Sequence, residues 1–240
     1  MALTTSLLEN KVSVPQEFNR ISAWYDFATQ LSQGYQDDLD TSASRMNLKG
    51  DEKLLDLCCG TGKSTLACLK QLQTGTVVGV DNSEGMLVEA NKKFSGQISS
   101  GRVVFILKDA MQLNFPDNSF DAVFMAYGLR NMPNYESALR GINRILKPGG
   151  KICIHDYCIS DNIWAKAYWS ILGYGFIVPF CSVISGSSKI YTYLVKSVLT
   201  FLNPEQVKNL MEQTGFKNVH VNALNGWRKP ILRTFTAIKG

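Results

Sequence analysis

From Glu52 to Tyr157 short apolar runs alternate with amphipathic stretches, and that alternation confines the chain to βαβ units packed on a parallel sheet. The runs are KLLDLCC, TVVGVD, RVVFILKD, FDAVFMAYG and GKICIHDY. Between them, KSTLACLKQL, SEGMLVEANKKF and YESALRGINRIL read as helices, the second opened by Ser83 and the third ended by Lys147-Pro148-Gly149-Gly150. Further on, NPEQVKNLMEQTGF predicts a helix capped by Asn203, with Pro204 in its first turn and Gly215 at its stop. FKNVHVNAL and RTFTAIKG, joined by a loop holding Gly226, read as a closing antiparallel hairpin.

The 45% apolar composition exceeds what such a domain needs, and the surplus is concentrated in one place. Residues 167 to 186, AYWSILGYGFIVPFCSVISG, carry no charge and are long enough to cross a bilayer. Gly173, Gly175 and Pro179 interrupt them, however, and Lys166 and Lys189 flank both ends. A helical insert or lid is therefore expected, with contact at a membrane surface as the alternative; either implies an apolar acceptor pocket. The expected organisation is one domain over 1–240: an amino-terminal helical cap (1–45), a core (46–160), the insert (161–202), and a last helix with the hairpin (203–240).

A net charge of +5 without any block of like charges argues against nucleic acid as a partner. Six scattered cysteines without CxxC spacing fit free thiols in a reducing compartment, and two histidines leave no histidine-rich metal site. The first residues lack a basic stretch followed by an apolar run, so the expected location is cytoplasmic, with the membrane periphery and a homodimer left open.

LLDLCCGTGKST joins a strand to a helix through a turn in which Gly60 and Gly62 allow close backbone approach and the helix start offers free N–H groups. Asp81, 21 residues past Gly60 at the next strand end, suits two ribose hydroxyls. A dinucleotide loop wants a third glycine where Thr65 stands, and Asp56 suits an ammonium rather than a pyrophosphate. An ammonium, a carboxylate and no phosphate describe S-adenosyl-L-methionine. Asp109 and Ala110 follow the third strand, where an acid suits an adenine amino group, and Asp121 at the start of the fourth completes the acids. The cofactor candidates are Asp56, Gly60, Thr61, Gly62, Asp81, Asn82, Met86, Asp109, Ala110 and Tyr127.

DLCCGTGKST, GVDNSEGML, KDAMQLNFPDNSFDAVFMAYGLRNM, LRGINRILKPGG and YTYLVKSVLTF, in that order, resemble the ubiquinone and menaquinone biosynthesis C-methyltransferases, the UbiE-like family, over about residues 18 to 221. The resemblance implies a Rossmann-like, seven-stranded, mostly parallel sheet with one reversed strand, helices on both faces and a helical insert over the substrate. It places Arg130 and Asn131 beside a quinol, Tyr25 on a closing helix, and Tyr191 and Tyr193 along the pocket. Arginine does not readily release a proton, so Arg130 is expected to stabilise a phenolate or polarise a water; Asp156 is the candidate base.

Two segments depart from the family: LSQGYQDDLDTSASRM replaces a basic, aromatic motif, and NGWRKPILRTF replaces a histidine-containing one. Both flank the acceptor side. The expected reaction is methyl transfer to a small apolar or aromatic acceptor, with a quinol ring carbon first. O- or N-methylation of another small molecule or lipid stands next, and a non-catalytic binding protein is the alternative class.

Overall fold

The computed structural model describes residues 34–159, 162–185 and 188–240. Its strands are β1 (Lys53–Leu57), β2 (Thr76–Asp81), β3 (Val103–Leu107), β4 (Phe120–Ala126), β5 (Leu146–Tyr157), β6 (Phe216–Ala223) and β7 (Leu232–Lys239). They form one sheet in the order β3-β2-β1-β4-β5-β7-β6. Strands β1 to β5 pair in parallel, and β7 alone is reversed, antiparallel to β5 on one side and β6 on the other. The chain steps outward from β1 through β2 to β3, then returns to lay β4 on the other flank of β1. Strand order therefore switches between β1 and β4, and ligands of such sheets bind outside the carboxyl ends at that point.

Helices cover both faces because each strand sends alternate residues to opposite sides. In β1, Leu54 joins one buried cluster with Leu39 and Ala43 of α1 (Tyr35–Ser44) and Ala67 and Cys68 of α2 (Lys63–Leu69). Leu55 and Leu57 join the other, with Leu139 and Ile142 of α5 (Tyr135–Ile145) and Val207 and Met211 of α9 (Pro204–Gln213). Between these lie α3 (Glu84–Lys93) and α4 (Ser95–Ser99).

The expected caps form. The Ser83 hydroxyl accepts the Met86 N–H at 3.3 Å. Asn203 and Gln206 bond each other's backbone N–H groups in a capping box, Pro204 opens α9, and Gly215 beyond it has φ +95°.

The apolar segment is helical and begins earlier than 167, where Asn162 caps α6 (Ile163–Leu172). A single π turn over Gly173–Ile177 leads into α7 (Val178–Ser185), and α8 (Lys189–Thr200) follows. A Cβ on Gly173 would lie 2.5 Å from a Val195 methyl, so only glycine lets the π turn approach α8 this closely. The insert packs Ala165 and Trp169 with Val195 and Val198 against Ile231 and Leu232 of the hairpin. Among the described residues no helix is long and apolar enough to cross a membrane.

A buried ion pair, Asp38 to Arg228 at 2.8 Å, ties α1 to the loop between β6 and β7, and Arg45 adds a bond to the Ala223 carbonyl. Burial pushes the Asp38 carboxyl up, and the Arg228 guanidinium opposes that shift. Arg228→Met strands this carboxylate and is expected to cost about 3 kcal/mol in urea unfolding. Adding Asp38→Asn should restore most of the loss. An unchanged midpoint in the single variant would show that α1 is held by its apolar face alone.

Candidate functional site

At the switch point both adjacent strands end in a left-handed residue that is not glycine: Cys58 after β1 (φ +63°) and Tyr127 after β4 (φ +56°). Such backbone costs energy and is kept where the turn has to be tight. Cys58 thus holds a conformation that glycine would adopt without steric cost. Gly60 and Gly62 continue the turn at φ +54° and +87°. A Cβ on Gly60 would meet nothing within 4 Å, so the backbone there faces open space.

Two acids shape this loop. Asp81 accepts the Gly60 N–H at 2.8 Å through one oxygen and the Ser83 N–H at 2.9 Å through the other. The Asn82 backbone also leans on this carboxylate, whose four lone-pair sites still leave acceptor capacity for a ligand hydroxyl. Asp56 is fully buried, and its Oδ2 accepts the hydroxyls of Ser64 (2.8 Å) and Thr65 (2.6 Å). Its Oδ1 is buried without a hydrogen-bond partner. Burial raises its pKa to about 7, against the pull of the two hydroxyls.

The other candidates follow the carboxyl ends of β1, β2 and β3. Thr61 and Met86 are buried, Asn82 is exposed after β2, and Asp109 is exposed past β3, with Oδ1 held by the Met111 N–H and Ala110 buried beside it. Asp121 does not join them. It lies at the amino end of β4, at the opposite edge of the sheet, where it accepts the Lys53 N–H at 2.9 Å and pairs with Lys147 at 2.6 Å. Being an acid near a strand was not enough, because only carboxyl ends open on the crevice.

On the acceptor side, Arg130 and Asp156 are brought together. Arg130 sits in a 3-10 turn after β4, and its Nη1 meets Asp156 Oδ1 at 2.5 Å and the Tyr127 carbonyl at 3.0 Å. The Arg130 N–H bonds the other Asp156 oxygen at 3.2 Å, and the Tyr157 N–H bonds Oδ1 at 2.8 Å. Both side chains are buried. Burial works against the guanidinium's charge, yet the adjoining carboxylate outweighs it and holds Arg130 above the usual arginine range. The guanidinium lies over the rings of Tyr127 (5.6 Å) and Tyr157 (5.5 Å), and its Nε is buried without a partner. Asn131 links elements: its amide donates to the Tyr127 carbonyl at 3.0 Å and its oxygen accepts the Tyr193 hydroxyl of α8 at 3.0 Å. Burial raises the Tyr193 hydroxyl to about 12, so it stays a donor. Tyr191, two residues away, points from a different side of α8 and is half-buried. Tyr25 lies outside the described residues.

Several residues that the sequence did not single out belong here. Tyr35 of α1 stacks on Tyr127 (5.4 Å), Tyr127 meets Tyr157 (5.3 Å), and Tyr157 meets Trp169 of α6 (4.8 Å), so four rings run from the amino-terminal helix to the insert. The Tyr127 hydroxyl bonds His155 Nε2 at 2.9 Å; His155 Nδ1 meets the Ser42 hydroxyl at 2.7 Å, which meets Thr234 at 2.8 Å. Burial, with nearby arginines, drops the His155 pKa to about 3, so the ring is neutral and the buried chain of bonds is uncharged. These pairs join segments far apart in sequence, and no local spacing signals them.

The family model of the ubiE/COQ5 methyltransferase family matches residues 5–231. A demethylmenaquinone methyltransferase of Lactobacillus johnsonii is 35% identical over 229 residues, 94% of this chain and 92% of that protein. One of Staphylococcus aureus (strain Newman) is 36% identical over 222 residues, 90% of each chain. Among solved structures the cyclase SpnF matches with a TM-score of 0.70 at 18% identity, covering 94% of both chains, which is a likeness of fold.

If Asp56 receives the cofactor's ammonium, cofactor binding depends on pH. An ammonium pairs with the ionised carboxylate, so below pH 7 binding must first expel a proton. Calorimetric affinity for S-adenosyl-L-methionine is expected to climb from pH 5 to about 7 and level off above, with buffer-dependent heats on the rising limb. A flat profile would remove Asp56 from the ammonium's surroundings.

Proposed function

This chain belongs to the ubiE/COQ5 methyltransferase family and is an S-adenosyl-L-methionine-dependent methyltransferase; from that premise we propose that its acceptor is a quinol methylated on a ring carbon. One observation carries the reading. The Arg130 guanidinium is buried between two tyrosine rings, with Nε lacking a partner that a phenolic oxygen would supply. The names of the two demethylmenaquinone methyltransferases support the same acceptor class.

The residues fit the cofactor. Asp56 offers an unpartnered buried oxygen to an ammonium, Asp81 retains acceptor capacity for a ribose hydroxyl, and the open space above Gly60 admits a ligand against bare backbone. Asp109 is assigned to the adenine amino group, with Thr61, Gly62, Asn82, Met86, Ala110 and Tyr127 lining the crevice. The bound cofactor supplies a methyl already activated by its positive sulfur, so the protein has mainly to align an acceptor and make it nucleophilic.

Arg130 does the second task. It cannot serve as a base, but its fixed positive charge favours loss of a proton from a quinol hydroxyl and sends the charge onto the ring carbon. With the cofactor bound, its activated methyl would pass to that carbon, the bonding electrons staying with sulfur and the ring hydrogen leaving as a proton to solvent, while Arg130 holds the negative charge on the acceptor. Asp156, accepting three hydrogen bonds, holds Arg130 in place, which favours a positioning role over that of proton acceptor. Asn131 and Tyr193 close the wall between β4 and the insert.

Incubation with methyl-labelled cofactor and a reduced, short-chain demethylnaphthoquinol is expected to give a ring-methylated product by mass. Label found only on oxygen or nitrogen of another compound would overturn the quinol reading while leaving the methyltransferase intact. Arg130→Met should lower kcat about 100-fold or more with cofactor affinity unchanged. Asp81→Ala should do the reverse, weakening cofactor binding by about 2 kcal/mol.

A further inference from the structure

The insert presents two apolar faces, where a helix on a solvated surface needs one. Ala165, Trp169 and Ile177 pack inward on the hairpin cluster. The outward face is apolar as well: Trp164 is 82% exposed, Ile163 76%, Ile171 74% and Val183 86%. Exposed positions 163, 164, 167, 168 and 171 follow one side of α6, and 176, 179, 180 and 183 carry the face across the π turn along α7. Phe176 and Phe180 stack there on each other at 5.5 Å, still 60% and 45% exposed. None of these exposed positions carries a charged side chain.

Within the insert itself the charges are all of one sign. From residue 162 to 204 there is no Asp or Glu, while Lys166, Lys189 and Lys196 are present. We propose that this face docks the enzyme on the surface of an anionic lipid bilayer, with α6 and α7 lying in the interface. Trp164, Tyr168 and Tyr174 have the amphipathic rings that settle at headgroup depth, Ile163, Ile171 and Val183 enter the acyl boundary, and the lysines meet anionic headgroups. A second copy suits the face poorly. Self-pairing would set three lysines against three lysines with no acid of the insert to offset them. Spanning is not involved, since no described helix is long and apolar enough.

The test is flotation of the full chain with vesicles of phosphatidylcholine alone and with about one third phosphatidylglycerol, alongside the triple variant Trp164→Ser, Ile171→Ser, Val183→Ser. The unaltered protein should float with the anionic vesicles, less with the neutral ones, and progressively less as salt is raised. The triple variant should lose about tenfold in vesicle affinity or more, with its far-ultraviolet circular dichroism, its cofactor affinity and its transfer to a soluble acceptor unchanged. Equal flotation of both proteins, or flotation of neither, overturns the proposal. So does a concentration-dependent dimer in sedimentation that the triple variant abolishes, which would assign the face to a second copy. Because transfer to the soluble acceptor is read separately, failure here is distinguishable from failure of the quinol assignment.

Discussion

The Gly60 N–H donates to the Asp81 carboxylate across the ends of β1 and β2, and that bond closes the loop on which the cofactor side depends. Together with the Cys59 N–H, which donates to the Val80 carbonyl at 3.0 Å, it ties the turn from Cys58 to Gly62 to the neighbouring strand. With it, one carboxylate sets the loop, begins the turn into α3 through Ser83, and keeps lone pairs in reserve. Asp56 works from below the same turn, holding the first turn of α2 through Ser64 and Thr65. Thr65 occupies the place where a dinucleotide loop wants its third glycine, so the substitution that argued against a pyrophosphate also supplies a hydroxyl that anchors an acid.

The acceptor side is organised on a different principle. Its groups come from α1, the ends of β4 and β5, the insert and the hairpin, joined by rings and by the buried chain from Tyr127 through His155 and Ser42 to Thr234. Arg130 is the charge at its centre, and Asp156 keeps that charge in one orientation. The two groups of residues therefore rest on separate supports, a local loop between β1 and α2 and a long-range lattice of rings and hydrogen bonds.

That difference explains what could be read from sequence. Strand runs, helix caps at Ser83 and Asn203, and the spacing of Gly60 and Asp81 at successive strand ends are patterns that a sequence shows; the hydrogen bond between those two residues is not among them. Asp121 carries the same residue type, but the start of a strand, where the sequence places it, is the end of the sheet away from the crevice. The union of Arg130 with Asp156 joins two strand ends 26 residues apart that were read as independent candidates. Tyr35, Tyr157 and Trp169 matter through mutual stacking, and Ser42 through contacts spanning more than a hundred residues, for which a single sequence offers no periodicity.

The reversed strand bears on how the molecule is made. β7 is translated after every other strand, yet it is inserted between β5 and β6 and contributes Thr234 to the buried bonds of the acceptor side. Until it emerges from the ribosome, β5 has an open edge and His155 lacks part of its polar surroundings. The nascent chain can pair β1 to β4 before β7 is made. It must then hold an unpaired apolar edge while the insert and β6 are synthesised, the interval in which such an edge recruits other chains. The last strand made thus enters the interior of the sheet, and the bond from Thr234 to Ser42 can form only once it has done so.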